Sequence, residues 1–327
     1  MTPYKSDDFD WVFPIYERLN LEPWTEKDGR WPFGNPLGLC QDRTRTLPHY
    51  LKMSGWEPLP KYDSNFKKTF KELMYERAYE IIEIANGERI NISWSGGLDS
   101  TTLLFTLMEV ADLKQLKVFC NYNSIVESSV IYDRYLKGRV EVDISLPVVS
   151  PKFGPGIILT GYHGDSLFPN LSPDQPMGYP EILTIHWKDW LTKEQVDIIE
   201  PMIEKYPNKE IIQYVPEYLS FVEINFKWQW SKTHKKRNQP KEVADRIINY
   251  YDTVDFQRWA IGNYEPKYGS HEKTTYKWTM RQHLKDLMKA TFYTDHKRIC
   301  TSHYDIIDSN WVMLLEDGTN LYRKDLP

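Results

Sequence analysis

Residues 90–110 read INISWSGGLDSTTLLFTLMEV. An apolar stretch from Ile90 to Trp94 runs into Ser95-Gly96-Gly97-Leu98-Asp99-Ser100, and a longer apolar stretch follows. The first is short and reads as a buried strand; the second reads as a helix, capped by Asp99 or Ser100. Gly96 and Gly97 supply backbone freedom and remove the side chains that would hold a ligand away from the main chain. The helix aims its N-terminal N–H groups, and the positive end of its dipole, back at the turn. Ser95 and Ser100 add hydroxyl donors suited to phosphate oxygens. A carboxylate among phosphate donors calls for a cation, so Asp99 implies Mg²⁺. The stretch reads as a cradle for a metal-bound polyphosphate, against the plainer reading of an ordinary tight turn. It is not a Walker loop, because no Gly-Lys-Ser or Gly-Lys-Thr follows, and it is not GxGxxG.

On the N-terminal side, SNFKKTFKELMYERAYEIIEIANG places Phe66, Phe70, Leu73, Met74, Ala78, Ile81, Ile82 and Ala85 at helical spacing, ending near Gly87. On the C-terminal side, KVFCNY reads as a strand, ESSVIYDRYLKG as a helix, VEVDISL as a third strand and GIILTGY as a fourth. Strands alternating with helices predict a parallel, twisted sheet with helices on both faces. Ligands of such sheets bind beyond the carboxyl ends of the strands. After Pro180 the chain is mostly helical and aromatic, and DSNWVMLLEDGTNLYRK predicts a hairpin around Asp317-Gly318. The expected organisation is an irregular arm over 1–64, an α/β core over 65–180 and a mostly helical region over 181–327.

Bulk properties narrow the setting. A net charge of −5 over 327 residues gives no general attraction to nucleic acid or an anionic membrane. The basic run Lys232 to Lys241 reads as a solvated loop, with contact to phosphate or RNA as the sharper alternative. Cys40, Cys120 and Cys300 are far apart, which disfavours a disulfide framework, a zinc knuckle or a two-cysteine redox motif. With no long apolar run and an acidic start, a cytoplasmic, non-membrane protein is expected. His186, His271, His283 and His303 show no metal-ligand pattern and read as packing or surface residues. His163 could touch phosphate or substrate.

The string SGGLDS, between a strand and a helix, resembles the PP-loop of the N-type ATP pyrophosphatases, whose motif is SGGxDS. A second stretch, ILTGYHGDSLFPN from Ile158 to Asn170, is similar to the LSGEGADELFGG turn of class II asparagine synthetases and β-lactam synthetases. Gly161, Asp165, Leu167 and Phe168 coincide with it. In that family a helix carrying K-x-x-x-R precedes a catalytic Lys by sixteen residues; here Lys277 and Arg281 are followed, sixteen residues after Arg281, by Lys297.

The resemblance implies an adenine nucleotide alpha-hydrolase-like fold and a ligase that uses ATP and Mg²⁺, adenylates a small-molecule carboxylate and passes it to ammonia or an amine. Trp94, Ser95, Gly96, Gly97, Asp99, Ser100, Asn121 and Gly161 would then bind the nucleotide, with Asp99 and Asp165 on the metal. Lys297 would stabilise transition-state charge, with Tyr162 and Arg281 as further catalytic candidates. Three departures stand out. Tyr162 replaces the Glu of asparagine synthetases, as is typical of the β-lactam synthetase branch. Ser166 replaces an acidic residue. The glutaminase half, with its Cys after Met1, is missing, so the ammonia is expected free or from a separate partner. Two alternatives stay open: adenylation of a nucleobase or tRNA carbonyl, and an ATP-binding module without turnover.

Overall fold

The computed structural model describes residues 43–46, 57–144, 153–168, 183–206, 209–228, 241–262, 265–267, 277–289, 311–314 and 320–322. Its contacts divide the chain into two compact units. One comprises Met1–Leu73 with Tyr162–Thr279; the other comprises Met74–Gly161 with Met280–Pro327.

The opening helix α1, Phe70–Ala85, starts later than its apolar stripe suggests. Thr69 and Glu72 form a reciprocal cap: the Thr69 N–H donates to Glu72 Oε2 at 2.7 Å, and the Glu72 N–H donates to Thr69 Oγ1 at 3.2 Å. These bonds fix the start and leave Asn65 outside. Phe70, Leu73, Met74, Ala78, Ile81 and Ala85 are all buried, as their spacing predicts.

In the second unit, strand β1, Ile90–Ser93, is followed by helix α2, Leu98–Val110, and strand β2, Leu116–Cys120. Strands β3, Glu141–Ile144, and β4, Ile157–Thr160, complete the expected set. β1 pairs in parallel with both β2 and β4, and β2 pairs in parallel with β3. The whole sheet has five strands in the order β3-β2-β1-β4-β5, where β5 is Ile247–Asn249. That last strand lies in sequence read as helical. Its three residues are too few to display a period of two.

Ile90, Ile92, Leu116, Val118 and Leu159 are fully buried, as continuous apolar runs in a parallel sheet require. α2 is buried almost all round, which explains its lack of a polar face. Its threonines satisfy their hydroxyls locally: Thr102 Oγ1 donates to Leu98 O at 2.8 Å and Thr106 Oγ1 to Thr102 O at 2.9 Å. The edge strand β3 is more exposed and carries charge. Lys117, opposite Glu141 in the register, pairs with Glu141 at 3.2 Å and Asp143 at 3.1 Å. Charge along an edge discourages pairing with another chain. A helix, Tyr122–Glu127, precedes the stretch read as one helix after β2, and that stretch is broken into Ser129–Ile131 and a wide turn, Tyr132–Leu136.

The first unit holds helices α3, Gly164–Leu167, α4, Lys193–Lys205, α5, Val215–Val222, and α6, Val254–Gly262. Helix α7, Trp278–Met288, runs through the division between units. Phe70, Phe168, Phe256 and Trp259 form an aromatic cluster, with the Phe70 ring 5.5 Å from Phe168 and 5.2 Å from Trp259. The C-terminal hairpin expected from sequence is present as β6, Trp311–Leu314, antiparallel to β7, Asn320–Tyr322. Among the described residues, no helix is long and apolar enough to cross a membrane.

One buried charge makes this unit's stability depend on pH. Lys267 is 3% exposed; its ammonium donates to Ser220 Oγ at 2.9 Å and to the Ala260 carbonyl. Burial lowers its pKa to about 8, and Glu217 offsets only part of that. Above the ordinary value of 10.5 the amine is neutral whether the chain is folded or not. As pH falls from there towards 8, the unfolded chain takes up a proton that the folded chain resists, so stability falls. Below that window the whole penalty, on the order of 3 kcal/mol, is present. Lys267→Met removes it. Denaturant unfolding at pH 7 and at pH 10.5 should show the variant gaining on the wild type by roughly this amount at the lower pH.

Candidate functional site

The glycine turn lies where the sequence places it, at the carboxyl end of β1 and the start of α2. Gly96 has φ +80°, and a Cβ there would sit 2.6 Å from the Ser124 carbonyl oxygen. Both the conformation and the contact exclude other residues. Ser128 Oγ donates to the Gly96 carbonyl at 2.7 Å and ties the turn to the segment after β2. Neither Ser124 nor Ser128 stood out in the sequence. Their only signal is the serine-rich run Asn121 to Ser129 directly after a strand.

The cap of α2 differs from expectation. The N-cap is Gly97, without a side-chain cap, and Asp99 falls in the first turn. Ser100 cannot cap because its hydroxyl faces back into the loop. Ser100 Oγ accepts the Ser95 N–H at 3.1 Å, lies 3.1 Å from Ser95 Oγ and donates to Gly97 O at 3.2 Å. Two adjacent hydroxyls and a helix start thus converge on one turn. Ser95 is exposed and Asp99 half-buried, so both are open to solvent. A carboxylate in the first turn is also favoured by the helix dipole, by about 0.3–1 kcal/mol.

Gly161, directly after β4, approaches this turn closely. A Cβ there would lie 3.0 Å from the Ser100 nitrogen and 3.2 Å from Asp99 Cβ. The ends of β2, β1 and β4 are neighbours, so Asn121, Trp94 and Gly161 share one edge of the sheet. Two of these side chains have structural work. Trp94 is fully buried and its indole N–H donates to Thr101 Oγ1 at 3.0 Å. Asn121 caps the helix after β2, its Oδ1 accepting from the Ser124 N–H at 2.8 Å and hydroxyl at 2.9 Å.

The second motif belongs to the first unit. Asp165 is exposed at 61% and accepts from Lys277 Nζ at 2.6 Å, while the Lys277 side chain is 4% exposed. Lys277 holds φ +57°, unusual for a residue with a Cβ. Ser166 Oγ donates to Glu223 Oε2 at 3.3 Å. His163 is fully buried, its Nε2 lying 3.1 Å from the Trp228 carbonyl and its ring 4.3 Å from the Trp228 ring, a packing role. Tyr162 is half-buried, and Arg281, on α7, is 6% exposed. Lys297 and most of the basic run from Lys232 lie outside the described residues.

The donors around the glycine turn suit a phosphate group: hydroxyls, a helix N-terminus and two glycines with no room for a side chain. Asp99 suits a hard divalent cation accompanying that phosphate. Among the described residues no cluster of three or more His, Cys, Asp or Glu forms a protein-only metal site. No family model, curated protein or solved structure matches the chain.

Proposed function

We propose that this chain is an AMP-forming ligase that joins a carboxylate to ammonia or an amine, in the manner of the asparagine synthetase-like enzymes its motifs resemble. The observation that carries the reading is the SGGLDS turn at the carboxyl end of a central parallel strand, with Gly161 of the second motif against Asp99 and Ser100. Ser95, Gly96, Gly97 and Ser100 would hold the pyrophosphate portion of ATP, and Trp94 and Asn121 would flank the adenine. Asp99 would hold Mg²⁺, with Asp165 as the second carboxylate implied by the resemblance. The ion would neutralise phosphate charge as it builds up.

In the first step a substrate carboxylate oxygen attacks the α-phosphorus. The bond to the β-phosphate oxygen breaks, and pyrophosphate leaves. In the second step the nitrogen attacks the activated acyl carbon, AMP departs with the former carboxylate oxygen, and the nitrogen sheds a proton. Hydroxyls and main-chain N–H groups around the leaving group would require little reorganisation, which is where electrostatic catalysis gains most. Lys297 and Arg281 would add positive charge, and Tyr162 would accept a proton from the incoming amine.

The test is an incubation with Mg-ATP, ammonium and a pool of carboxylates and amino acids, read as nucleotide products. AMP appearing together with pyrophosphate, dependent on the carboxylate, is the expected result. ADP with phosphate would overturn the reading. ATP binding without turnover on any acceptor would favour a binding module.

A further inference from the structure

The second unit carries another feature at the opposite end of its strands, which the proposed reaction does not use. A hollow of about 290 Å³ is lined by Arg89, Leu113, Lys114, Leu116, Arg139, Val140 and Glu141. These residues cluster at three strand starts: Arg89 just before β1, Leu113, Lys114 and Leu116 at the start of β2, and Arg139, Val140 and Glu141 at the start of β3. Three basic residues from three parts of the chain therefore line one hollow together with one carboxylate.

That carboxylate is already committed. Glu141 Oε2 accepts from Arg89 Nη1 at 2.8 Å, and Oε1 from Lys117 Nζ at 3.2 Å. Its pKa is lowered, first by the Lys117 hydrogen bond and further by Arg89. Among the described residues, neither the Lys114 ammonium nor the Arg139 guanidinium has a hydrogen-bond or ion-pair partner. Both are exposed residues lining one hollow, and like charges placed there favour an anion between them. The two share the hollow with an apolar wall of Leu113, Leu116 and Val140.

We propose that this hollow binds a small phosphate dianion, free or as the monoester of a short carbon chain. The two cations without a partner among the described residues match its double charge, and the Arg139 fork suits two phosphate oxygens at once. The apolar wall would receive the carbon portion of a monoester. The site is separate from the glycine turn and independent of the proposed reaction.

Arginine modification by phenylglyoxal, read at Arg139 by peptide mass spectrometry, reports this hollow and not the turn. Inorganic phosphate and glycerol 3-phosphate are the probes, with chloride at matched ionic strength as the reference. Saturable protection of Arg139 by either probe is expected, weakened about tenfold or more in Lys114→Gln. Tighter protection by glycerol 3-phosphate would identify a monoester as the ligand; equal protection would identify phosphate itself. Protection no better than chloride gives, or unchanged in Lys114→Gln, would overturn the site. Both side chains are exposed, so the variant should fold normally, with an unchanged melting temperature as the check.

Discussion

Asp99→Asn should reduce carboxylate-dependent AMP formation by about a hundredfold or more, with the fold intact. The two halves of that expectation rest on different quantities. In the folded protein the carboxylate sits in the first turn of α2, half-buried, and its favourable interaction with the helix dipole is worth at most about 1 kcal/mol. Asparagine preserves its shape, so stability should move by less than that. If Asp99 holds the cation beside the pyrophosphate, its loss removes charge stabilisation made in the transition state, about 3 kcal/mol for a hundredfold. Melting temperature and initial rate, measured on one preparation, separate the two. A proportional fall in both would assign Asp99 to the helix and not to chemistry.

Arg43→Ala should have the opposite profile: a stability loss of about 3 kcal/mol or more, since each buried acceptor it strands costs about 1–3 kcal/mol. Arg43 is 4% exposed, and each guanidinium nitrogen has a partner. Nε donates to Glu57 O at 2.9 Å, and Nη2 donates to Pro58 O at 2.6 Å. Nη1 donates to Ile224 O at 2.9 Å and Gln257 Oε1 at 2.8 Å, while the main-chain N–H donates to Asn225 Oδ1 at 2.8 Å. Burial lowers its pKa to about 10, with Glu57, Asp252 and Tyr206 opposing, so it stays charged at neutral pH. Removing it strands four acceptors, two of them paired deep in the unit. Lysine should not rescue it, because a single ammonium cannot reproduce the planar fork. Denaturant unfolding measures the loss; a change below about 1 kcal/mol would show that water replaces the lost donors.

These two residues also mark what was legible in the sequence. Asp99 belongs to a six-residue string whose chemistry is local: strand, turn and helix are consecutive, and each leaves its own period or glycine signal. The four strands of the second unit were readable for the same reason, as short apolar runs bounded by breakers. Arg43 lay in a segment read as an irregular arm, because its partners Asn225 and Gln257 are 182 and 214 residues away. No local pattern records such a bond. The first unit as a whole shares this opacity, since it joins residues before Leu73 to residues after Tyr162.

Within the site, Gly96 was readable as a turn glycine that leaves the main chain open to a ligand, and Gly161 only through the motif it shares with the synthetases. The serines that press on Gly96 were not, because Ser124 acts through its main-chain carbonyl and Ser128 through one hydroxyl. The cap of α2 was misplaced because Ser100, a good capping residue by type, bonds instead to Ser95 and Gly97.

The central claim is that the glycine turn directs cleavage between the α and β phosphates of ATP. Phosphorus NMR of the protein turning over Mg-ATP with ammonium and the carboxylate pool tests it most directly. Resonances of AMP and pyrophosphate growing in equal amounts, and about a hundredfold or more slower with Asp99→Asn, are the predicted result. ADP and inorganic phosphate growing instead would contradict the account.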